Sequence, residues 1–454
     1  MNNRLLIAGL VAASLAGCSD PDFDDNTQIG PNPVLPKPTQ FLIPPMNVAA
    51  GTGWSAGQKP TVANGLEIQP LATGLHHPRF VYVLPNGDIL AVQSAPPGEP
   101  VKRPKDLIFG FVIGKADNLG GPSPKSEISL IRDANGDGKL ELQTTLLDNL
   151  NAPFGVTWVD GTLYVANTDG VVAYPFAPGQ TKVSGPGRML TPLPAGVINH
   201  HWTKSLVASP DGSKLYATVG SNSNIVENGF DAELGRAAVW EIDRKTGLAR
   251  EFATGLRNPN SPSFYPGTNT FYVVVNERDE LGAHLVPDYL TSVRDGGFYG
   301  WPYSYYGRHL DPRVRPQNPA KVASAILPDY ALGSHVAPLG LTFYTGDLLP
   351  QFKGGAFIGE HGSLDRRKFY GYKVVYVPFA GGKPSGKAVD VVTGFLDAKN
   401  KRTLGRPVGV AVDRFGALLI ADDVGNAVWR VTPASWRPGA AGEKNASPSG
   451  EASR

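Results

Sequence analysis

Residues 407–422 read PVGVAVDRFGALLIAD, which is a short alternating run, a turn that contains Asp and Gly, and a second apolar run. Runs of this length and composition, separated by turn residues, are typical of two antiparallel β-strands. The pattern occurs six times, and the copies start at Pro78, Pro153, Lys204, Pro259, Pro338 and Pro407. Radial repetition of one hairpin predicts an all-β, six-bladed β-propeller of four-stranded antiparallel blades. A β-sandwich would not need the same hairpin six times.

The composition agrees with many short strands and turns. Gly (54) and Pro (41) are abundant among the 454 residues, and together they make up about a fifth of the chain, against an ordinary share of about 12%. The net charge is +2, and Lys and Arg are scattered along the chain. A nucleic-acid-binding protein would show a basic patch or run, so no nucleic acid is expected as a partner.

The first 18 residues, MNNRLLIAGLVAASLAGC, have the organisation of an export signal. A basic residue, Arg4, precedes an apolar run, and this run is shorter than the roughly 20 residues of a membrane span. The run ends in LAGC, which resembles a bacterial lipobox and implies cleavage before Cys18, lipidation of Cys18 and export. We therefore expect a protein on the periplasmic side that is attached to a membrane only through its lipid, with the outer membrane favoured in a Gram-negative host. The alternative is an ordinary signal peptide with an incidental cysteine.

Composition also divides the rest of the chain. Cys18 is the only cysteine, so no disulfide can form within the chain. Residues 19–65 are rich in Pro and poor in periodic apolar residues, which predicts an extended, mobile tether. Residues 437–454 are rich in Gly, Ala, Ser and charge, which predicts a disordered tail. The folded propeller domain is therefore predicted over residues 66–436.

The repeat predicts where a site would form. In a propeller the first strand of each blade lines the central channel, so the residues that start the six copies share one rim. Cations, imidazoles and amides dominate these positions, namely His76, His77, Arg79, Asn149, Asn151, His200, His201, Lys204, Arg257, Asn258, Asn260, His335 and Arg406. Such a rim suits a planar ligand with several carboxylates, because guanidinium and ammonium groups form charge-assisted hydrogen bonds with them. Taken singly, each residue is explained equally well as an ordinary turn residue or a strand cap.

Five motifs resemble the sorbosone/glucose dehydrogenase family: GLRNP (255–259), NERDELG (276–282), DGGFYGWPY (295–303), GEHGSLDR (359–366) and GRPVGVAV (405–412). The resemblance extends from Leu66 to Pro433 and implies a six-bladed propeller that is related to soluble glucose dehydrogenases and pyranose dehydrogenase domains. It further implies pyrroloquinoline quinone (PQQ) and calcium as cofactors. The implied activity is oxidation of a sugar or sugar-derived aldehyde by hydride transfer to the quinone. The sequence contains no CxxCH haem motif, so electrons would pass to an external acceptor, such as a cytochrome or a quinone-type carrier.

The resemblance assigns roles to individual residues of these motifs. HHWTKSLV (200–207) matches the segment with the family's catalytic histidine, which makes His201 the general base and His200 the fallback. Imidazole suits this role because its ordinary pKa lies near neutrality. The implied cofactor-binding residues are Arg257, Asn258, Arg406, Lys204 and Arg366. Two departures from the family pattern put the substrate in doubt, namely Asn260 in place of a longer amide and the lack of a tryptophan near His335.

Two acidic loops are candidate calcium sites. In the resembling enzymes, backbone carbonyls of the segment that matches NERDELG coordinate the ion, which implies the carbonyls of Arg278 and Asp279; the alternative is a solvated turn. In the second loop, DANGDGKLE (133–141), the oxygen-bearing residues are spaced as in the first half of an EF-hand loop, at Asp133, Asn135 and Asp137. Its twelfth position is Thr144 rather than Glu, and a type I turn explains the loop nearly as well.

Two other functions remain open at the level of the sequence. Six-bladed propellers also include calcium-dependent lactonase-type hydrolases, which generally hold the metal on side-chain carboxylates and amides, whereas the predicted rim is mainly basic. A non-catalytic propeller that binds a glycan or a protein would not need a cluster of cations. The aromatic run FYGWPYSYY (298–306) favours stacking against a sugar, which a dehydrogenase and a glycan-binding protein share. Fold alone does not decide between these functions.

Overall fold

The computed structural model describes residues 23–39, 46–98 and 126–437, together with residues 100, 111 and 114–116. Within these ranges the regular secondary structure is almost entirely β-strand. Six antiparallel sheets, numbered I to VI, follow one another along the chain, and each begins with one of the six predicted hairpins. The prediction of an all-β fold built on a repeated hairpin is confirmed.

Sheets I to III are built mainly from consecutive strands. Sheet I contains β5 (Pro78–Val83), β6 (Ile89–Gln93), β7 (Glu127–Arg132) and β8 (Leu142–Leu147). Sheet II contains β9 (Val156–Val159), β10 (Thr162–Asn167), β11 (Gly170–Pro175) and β12 (Arg188–Pro192). Sheet III contains β13 (Leu206–Ala208), β14 (Lys214–Val219), β15 (Ala238–Asp243), β16 (Ala249–Thr254) and β20 (Gly297–Phe298), and the last two pair in parallel.

Sheets IV to VI each include a strand from the N-terminal part of the chain. Sheet IV contains β17 (Pro259–Phe264), β18 (Phe271–Val275), β19 (Pro287–Ser292), β23 (Tyr330–Ser334) and β1 (Ile29–Gly30). Sheet V contains β24 (Pro338–Phe343), β25 (Ala356–Glu360), β26 (Lys373–Val377), β29 (Val389–Thr393) and β3 (Thr61–Val62). Sheet VI contains β32 (Pro407–Val412), β33 (Leu418–Asp422), β34 (Ala427–Pro433) and β4 (Leu66–Ala72).

Small elements occupy the connections between these sheets. The short strands are β2 (Ala50–Gly51), β21 (Ser304–Tyr305), β22 (His309–Leu310), β27 (Phe379–Ala380), β28 (Lys383–Pro384), β30 (Leu396–Asp397) and β31 (Arg402–Thr403). The α-helix α1 (Pro319–Ser324) is capped by the side chain of Asn318, and the described residues 111 and 114–116 are also helical. Single 3₁₀ turns span Asp25–Gln28, Phe230–Glu233 and Pro350–Phe352.

Apolar side chains fill the space between each sheet and the next. Among the described residues, six clusters of buried side chains each combine two consecutive sheets. One of them joins sheet VI to sheet I, with Leu419 and Val428 on one side and Val81 and Ile89 on the other. Successive side chains of a strand point to opposite faces, and both faces of every sheet are packed. The inner strands therefore have near-continuous apolar sequences, as expected for strands buried on both faces.

Glycines allow the first strands of the sheets to approach one another closely. A Cβ on Gly340 in β24 would lie 2.1 Å from the carbonyl oxygen of Val408 in β32. A Cβ on Gly409 would lie 2.8 Å from the Cα of Phe80 in β5. Larger residues therefore do not fit without a shift of the backbone. The recurring Pro-x-Gly at the start of these hairpins thus has a packing reason, because the first strands converge.

The N-terminal segment is not a free tether where the structure describes it. Gln28 is fully buried, its amide donates to the carbonyl of His284, and it accepts from the hydroxyl of Ser334 (2.9 Å). Strands β1, β2 and β3 all pair with later parts of the chain. The prediction of an extended, mobile segment over residues 19–65 is therefore wrong for residues 23–39 and 46–65. The folded part begins well before Leu66.

Predictions for the two ends of the chain lie largely outside the described residues. The signal peptide with Cys18 belongs to residues 1–22, and the predicted tail beyond residue 437 is not described. No helix in the described ranges has both the length and the apolar composition that a membrane crossing requires.

Candidate functional site

A cavity of about 300 Å³ lies where the first strands of several sheets begin. Residues that precede or start a first strand form part of its wall, namely Arg79, His201, Arg257, Asn258, Leu339 and Arg406. Loops supply the rest, including Met46, Asn276, Glu277, Asp279, Glu280, His335, His361, Leu364 and Asp365. The volume is at the lower end of the range for small-molecule sites. The structure thus brings His201, Arg257, Asn258, Arg406 and Asp279 together in one cavity.

His201 lies just before β13. Its Nδ1 is 3.0 Å from the carbonyl oxygen of Ser221 and 2.9 Å from the hydroxyl of the same residue. Because a carbonyl oxygen only accepts, Nδ1 carries a proton and Nε2 of the neutral ring keeps its lone pair. Burial, together with the positive charge of Arg257, holds the pKa of His201 well below its usual value, so the ring is neutral at pH 7. The fallback residue, His200, is exposed and does not line the cavity.

Arg257 fixes the acidic loop of residues 276–280 against the cavity. Both of its η-nitrogens donate hydrogen bonds, to the carbonyls of Asn276 (3.3 Å) and Glu277 (2.6 Å) and to the side chains of Asn224 (2.9 Å) and Asp279 (2.9 Å). Among the described residues, Nε of Arg257 and Oδ1 of the neighbouring Asn258 have no hydrogen-bond partner. The two η-nitrogens of Arg257 therefore bind groups of the protein, and of its three guanidinium nitrogens only Nε is left for a ligand.

Arg406 precedes β32, and backbone groups set its position. Its Nε donates to the carbonyl of His361 (2.8 Å) and its Nη2 to that of Gly362 (3.1 Å). Asp422, at the end of β33, accepts from the N–H of Arg406 (2.8 Å). The guanidinium also lies 5.6 Å from the centre of the Tyr372 ring. Arg406 is thus held on the cavity wall in one orientation, which suits a residue that recognises a carboxylate.

A buried ion network next to Arg406 is not apparent from the sequence. Asp423 accepts from Nη1 of Arg79 (2.6 Å) and is 2.8 Å from Nε2 of His361, and all three residues are buried. Burial opposes ionisation, but His361 and Arg79 hold the pKa of Asp423 well below its usual value. Arg79 was predicted on the rim of the channel, and His361 lies in the GEHGSLDR motif. Asp423 belongs to none of the five motifs. Only the packing of sheet VI against sheet I shows that they meet.

Two residues that the resemblance assigns to the cofactor do not line the cavity. Lys204 is fully buried, and its Nζ donates to the carbonyl of Trp202 (3.2 Å). Burial, with the nearby charge of Arg236, lowers the pKa of Lys204 to about 7. Arg366 is also buried, and its Nη2 donates to the carboxylate of Asp25 (2.7 Å). Arg366 therefore binds the N-terminal segment, and the positions of both residues do not support the predicted cofactor contacts.

Three side chains from different loops converge at the cavity, namely Asp279, His335 and Asp365. One ligand atom of each lies within 4.8 Å of the other two. Burial opposes protonation of His335, but its hydrogen bond to Asp279 and the charge of Asp365 outweigh burial and raise the pKa of His335 to about 9. Burial also raises the pKa of Asp365 to about 6. The cluster therefore places an imidazole between two carboxylates.

The carbonyl of Asp279 already has donors in the protein. It accepts from Nε (2.9 Å) and Nη2 (2.6 Å) of Arg278 and from Nδ2 of Asn224 (3.2 Å). Arg278 is itself buried and ion-paired with Asp311 (2.6 Å). A cation on this carbonyl would face a guanidinium directly, and like charges repel strongly at such short range. The carbonyl of Asp279, one of the two predicted calcium ligands in this loop, therefore does not suit a cation.

The second acidic loop is also explained without a metal. Asp133 is buried, accepts from two glycine N–H groups of its own loop (2.8 Å and 3.0 Å), and is ion-paired with Arg430. Asn135 and Asp137 each accept from the N–H two residues further on (2.9 Å and 2.8 Å). These are Asx-turn bonds, and Arg430 forms ion pairs with both Asp133 and Asp413. The hydrogen bonds of the loop therefore account for Asp133, Asn135 and Asp137 as turn residues without a metal.

Solved structures of low sequence identity share the architecture of this chain. The calcium structure of Trichoderma reesei Carbohydrate-Active Enzymes Family AA12 has a TM-score of 0.66 and 19% identity, covering 86% of this chain and 98% of that chain. The holo form of the pyranose dehydrogenase PQQ domain from Coprinopsis cinerea also has a TM-score of 0.66 and 19% identity, covering 85% and 100%. For the PQQ-bound aldose sugar dehydrogenase from Streptomyces coelicolor the values are 0.53 and 14%, covering 82% and 99%. The chain therefore has the fold of the PQQ-dependent sugar dehydrogenases.

Two family models match parts of the sequence. Residues 166–375 match the Glucose / Sorbosone dehydrogenase family, and residues 317–434 match the TrAA12-like family. Four of the five motifs lie within the residues that match the Glucose / Sorbosone dehydrogenase family, and the fifth, GRPVGVAV (405–412), lies within the TrAA12-like match. An uncharacterized protein of Borreliella burgdorferi is 27% identical over 304 residues, which cover 63% of this chain and 77% of that protein.

Proposed function

We propose that the protein is a PQQ-dependent oxidoreductase that oxidises a sugar or a sugar-derived aldehyde, of the sorbosone or aldose type, and passes the electrons to an external acceptor. One observation carries the proposal: a neutral His201 with a lone pair on Nε2 lines a cavity whose wall also holds Arg79, Arg257 and Arg406. Oxidation of a hydroxyl-bearing carbon needs a base, and an anionic quinone needs cationic groups. The family match supports the same activity.

We also propose that the six sheets close into a six-bladed β-propeller. The apolar cluster between sheet VI and sheet I supports closure, because it has the same kind of packing as the clusters between the other consecutive sheets. The pairing of β34 with β4 supports it too, since the N-terminal part of the chain then completes the last sheet. A closed ring removes exposed sheet edges and places all six first strands around one axis.

Polar atoms on the cavity wall suit a quinone that carries several carboxylates. Nε of Arg79 and Nε of Arg257 are buried donors without a hydrogen-bond partner among the described residues. A buried donor left unsatisfied costs about 1–3 kcal/mol, and a carboxylate would satisfy such groups. Arg79, Arg257, Asn258 and Arg406 would hold PQQ, and the bound quinone would supply a carbonyl carbon that accepts a hydride. No step is assigned to calcium, because the Asp279 carbonyl does not fit it.

His201 would take the proton from the substrate hydroxyl. Its Nδ1–H bond to Ser221 keeps the lone pair on Nε2, so the base is ready without a change of tautomer. Once Nε2 is protonated, the Ser221 carbonyl and the negative charge of Asp279 stabilise the imidazolium. An imidazole of this kind typically contributes about 10²- to 10⁴-fold to a rate.

Titration of the full chain with PQQ, with and without calcium, tests the function directly. Dye reduction should then be followed with a panel of aldoses and with sorbosone. Tight binding together with dye reduction by any of these sugars is the expected result. No binding at micromolar PQQ would overturn the proposal.

The lipobox supports a further proposal, that the protein is exported and anchored by lipid at Cys18 on the periplasmic side, where it would meet its sugar substrate. Cys18→Ser should abolish incorporation of labelled palmitate and release the protein from the membrane fraction. Unchanged labelling of this variant would contradict the anchor.

One observation favours a second candidate function, a metal-dependent lactonase-type hydrolase. Such enzymes hold the metal on side chains, and Asp279, His335 and Asp365 line the same cavity. A metal ion there would polarise a lactone carbonyl or activate water. Lactone hydrolysis by the metal-loaded chain without PQQ separates this function from the dehydrogenase.

A further inference from the structure

Asp279, His335 and Asp365 form a possible metal-ligand set of their own. They come from three separate segments, after β18, before β24 and after β25. Their ligand atoms all lie within 4.8 Å of one another. Metal–ligand bonds of about 2.0–2.2 Å place neighbouring ligand atoms roughly 3–4.4 Å apart. Small movements of the three side chains would therefore bring their ligand atoms to the spacing that a coordinated ion requires.

The hydrogen bonds of His335 prepare one of its ring nitrogens for coordination. Nε2 is 3.2 Å from the carbonyl oxygen of Gly282, and a carbonyl only accepts, so Nε2 carries a proton. Nδ1 lies 3.2 Å from Oδ1 of Asp279, and a metal ion that binds these two atoms would displace the proton between them. Metal-ligating histidines almost always donate their other N–H to a carbonyl or a carboxylate. His335 has this second partner already in place.

In each of the two carboxylates, Asp279 and Asp365, one oxygen accepts a hydrogen bond from an N–H group of the protein, and the other oxygen lies at the proposed metal position. Oδ2 of Asp365 accepts from the N–H of Glu280 (3.1 Å), whereas its Oδ1 is buried and has no hydrogen-bond partner in the part of the chain that the structure describes. Oδ2 of Asp279 accepts from Arg257 (2.9 Å), whereas its Oδ1 is the atom near His335. A buried oxygen without a donor is costly, and a bound cation would satisfy it.

We propose that Asp279, His335 and Asp365 bind a divalent first-row transition metal, such as Mn²⁺ or Zn²⁺. One imidazole nitrogen and two carboxylate oxygens match these ions better than Ca²⁺, which prefers oxygen ligands throughout. Three protein ligands leave at least one coordination position open to water or to a ligand in the cavity. The site uses side chains and not the Arg278 and Asp279 carbonyls, and it does not require PQQ.

Binding of Mn²⁺ to the full chain without PQQ tests the site, measured by loss of the free-ion EPR signal and by calorimetry. We expect one Mn²⁺ per chain, displaced by Zn²⁺, because affinities rise towards the end of the first row. Asp365→Asn keeps the shape of the side chain but removes its charge and should weaken binding by at least about tenfold. His335→Gln should do the same. Asp137→Asn, a change in an exposed acid of the other loop, is the matched control and should bind Mn²⁺ as the wild type does.

Several outcomes would overturn the site. One is the absence of stoichiometric Mn²⁺ binding. Another is binding that Asp365→Asn leaves unchanged or that Asp137→Asn removes, since the ion would then lie elsewhere. Equal affinity for Mn²⁺ in the wild type and in His335→Gln would also exclude a role for the imidazole.

If His335→Gln fails to fold, thermal unfolding of Asp365→Asn decides the question. Mn²⁺ should raise the unfolding midpoint of the wild type, because a ligand that binds the folded state stabilises it by mass action. The midpoint of Asp365→Asn should rise far less, and an equal rise would contradict the site. None of these measurements involves PQQ or a sugar. A negative result would therefore not contradict the dehydrogenase proposal, which the PQQ titration tests separately.

Discussion

At the scale of single residues, the role of a charge depends on its partner. Arg366 donates to Asp25, which lies 341 residues away in the sequence. Arg430 pairs with Asp133, at a separation of 297 residues. A motif compares short segments and contains no information about such partners. The resemblance therefore assigned Arg366 to a cofactor, and the spacing of the acidic loop assigned Asp133 to a metal, although each has an oppositely charged partner within the protein.

His201→Gln should lower kcat by about 10² to 10⁴-fold, because Gln cannot accept a proton from a hydroxyl group. PQQ binding should be nearly unchanged, since the proposed contacts to its carboxylates come mainly from arginines. Dye-linked turnover and a PQQ titration on the same preparation check both parts. His200→Gln is the informative comparison, because His200 is exposed. A large loss of kcat in His200→Gln alone would identify His200 as the base.

Glu360 should make stability depend on pH. It is 2% exposed, and its Oε2 has no partner among the described residues. Burial, opposed by Lys373 and reinforced by Asp390, raises the pKa of Glu360 to about 8 from its ordinary value of 4.5. Between these values the folded state holds a proton that the unfolded state has released, so stability falls as pH rises through this window.

Glu360→Gln removes the ionisable group and should therefore remove the contribution of Glu360 to the dependence of stability on pH. The variant should unfold at a temperature higher than the wild type by at least about 2 °C at pH 8, and the two proteins should converge towards pH 4.5. Calorimetric midpoints between pH 4.5 and pH 8 measure the difference. Parallel profiles for the two proteins would show that Glu360 does not titrate as proposed.

At the scale of elements, the first two strands of each sheet could be predicted and the outer strands could not. The inner strands have continuous burial, as in β25 and β33, and tight turns with Gly, Asp or Pro connect them. The outermost strands β8, β12 and β16 are half exposed, so their apolar pattern is weak. Long irregular connections also separate many of them from the hairpins, which hides their pairing.

Gly340→Ala should destabilise the protein through the contact between β24 and β32. The new Cβ would lie 2.1 Å from the carbonyl oxygen of Val408, and relief of this clash requires a backbone shift. Overpacking of this kind typically costs about 1–3 kcal/mol, which should appear as a lower midpoint in thermal or urea unfolding. Gly98→Ala is the matched control, because nothing lies within 4 Å of its Cβ position. Equal midpoints for both variants would contradict the close approach of these strands.

At the scale of the whole molecule, the N-terminal segment completes sheet VI and contacts its inner strands. Strand β4 pairs with β34 along its whole length. Nε1 of Trp54 donates to Oδ2 of Asp422 (2.7 Å), and Trp429 donates to the same oxygen (3.0 Å). Asp422 also accepts from the N–H of Arg406. The segment before Leu66 therefore helps to hold an arginine of the cavity wall in place.

Removal of residues 1–74 should prevent cooperative folding, because β34 would lose its partner and sheet VI would end in an unpaired apolar edge. Removal of residues 1–22 alone should leave the unfolding midpoint close to that of the wild type. Circular dichroism melts and gel filtration of the two truncated proteins check this. A cooperative transition at the wild-type temperature without residues 1–74 would show that β4 is dispensable.

The sequence by itself determined the all-β class, the six hairpins and the first-strand positions that carry His201, Arg257, Asn258 and Arg406. Alternation, turn residues and repeat spacing act over about twenty residues, so a linear pattern contains them. Only the tertiary structure decided that the N-terminal segment is part of the fold, that Lys204 and Arg366 do not line the cavity, and that Asp279, His335 and Asp365 meet. These outcomes depend on distances between segments that are far apart in the chain, because hydrogen bonds and charges act through space and not along the sequence.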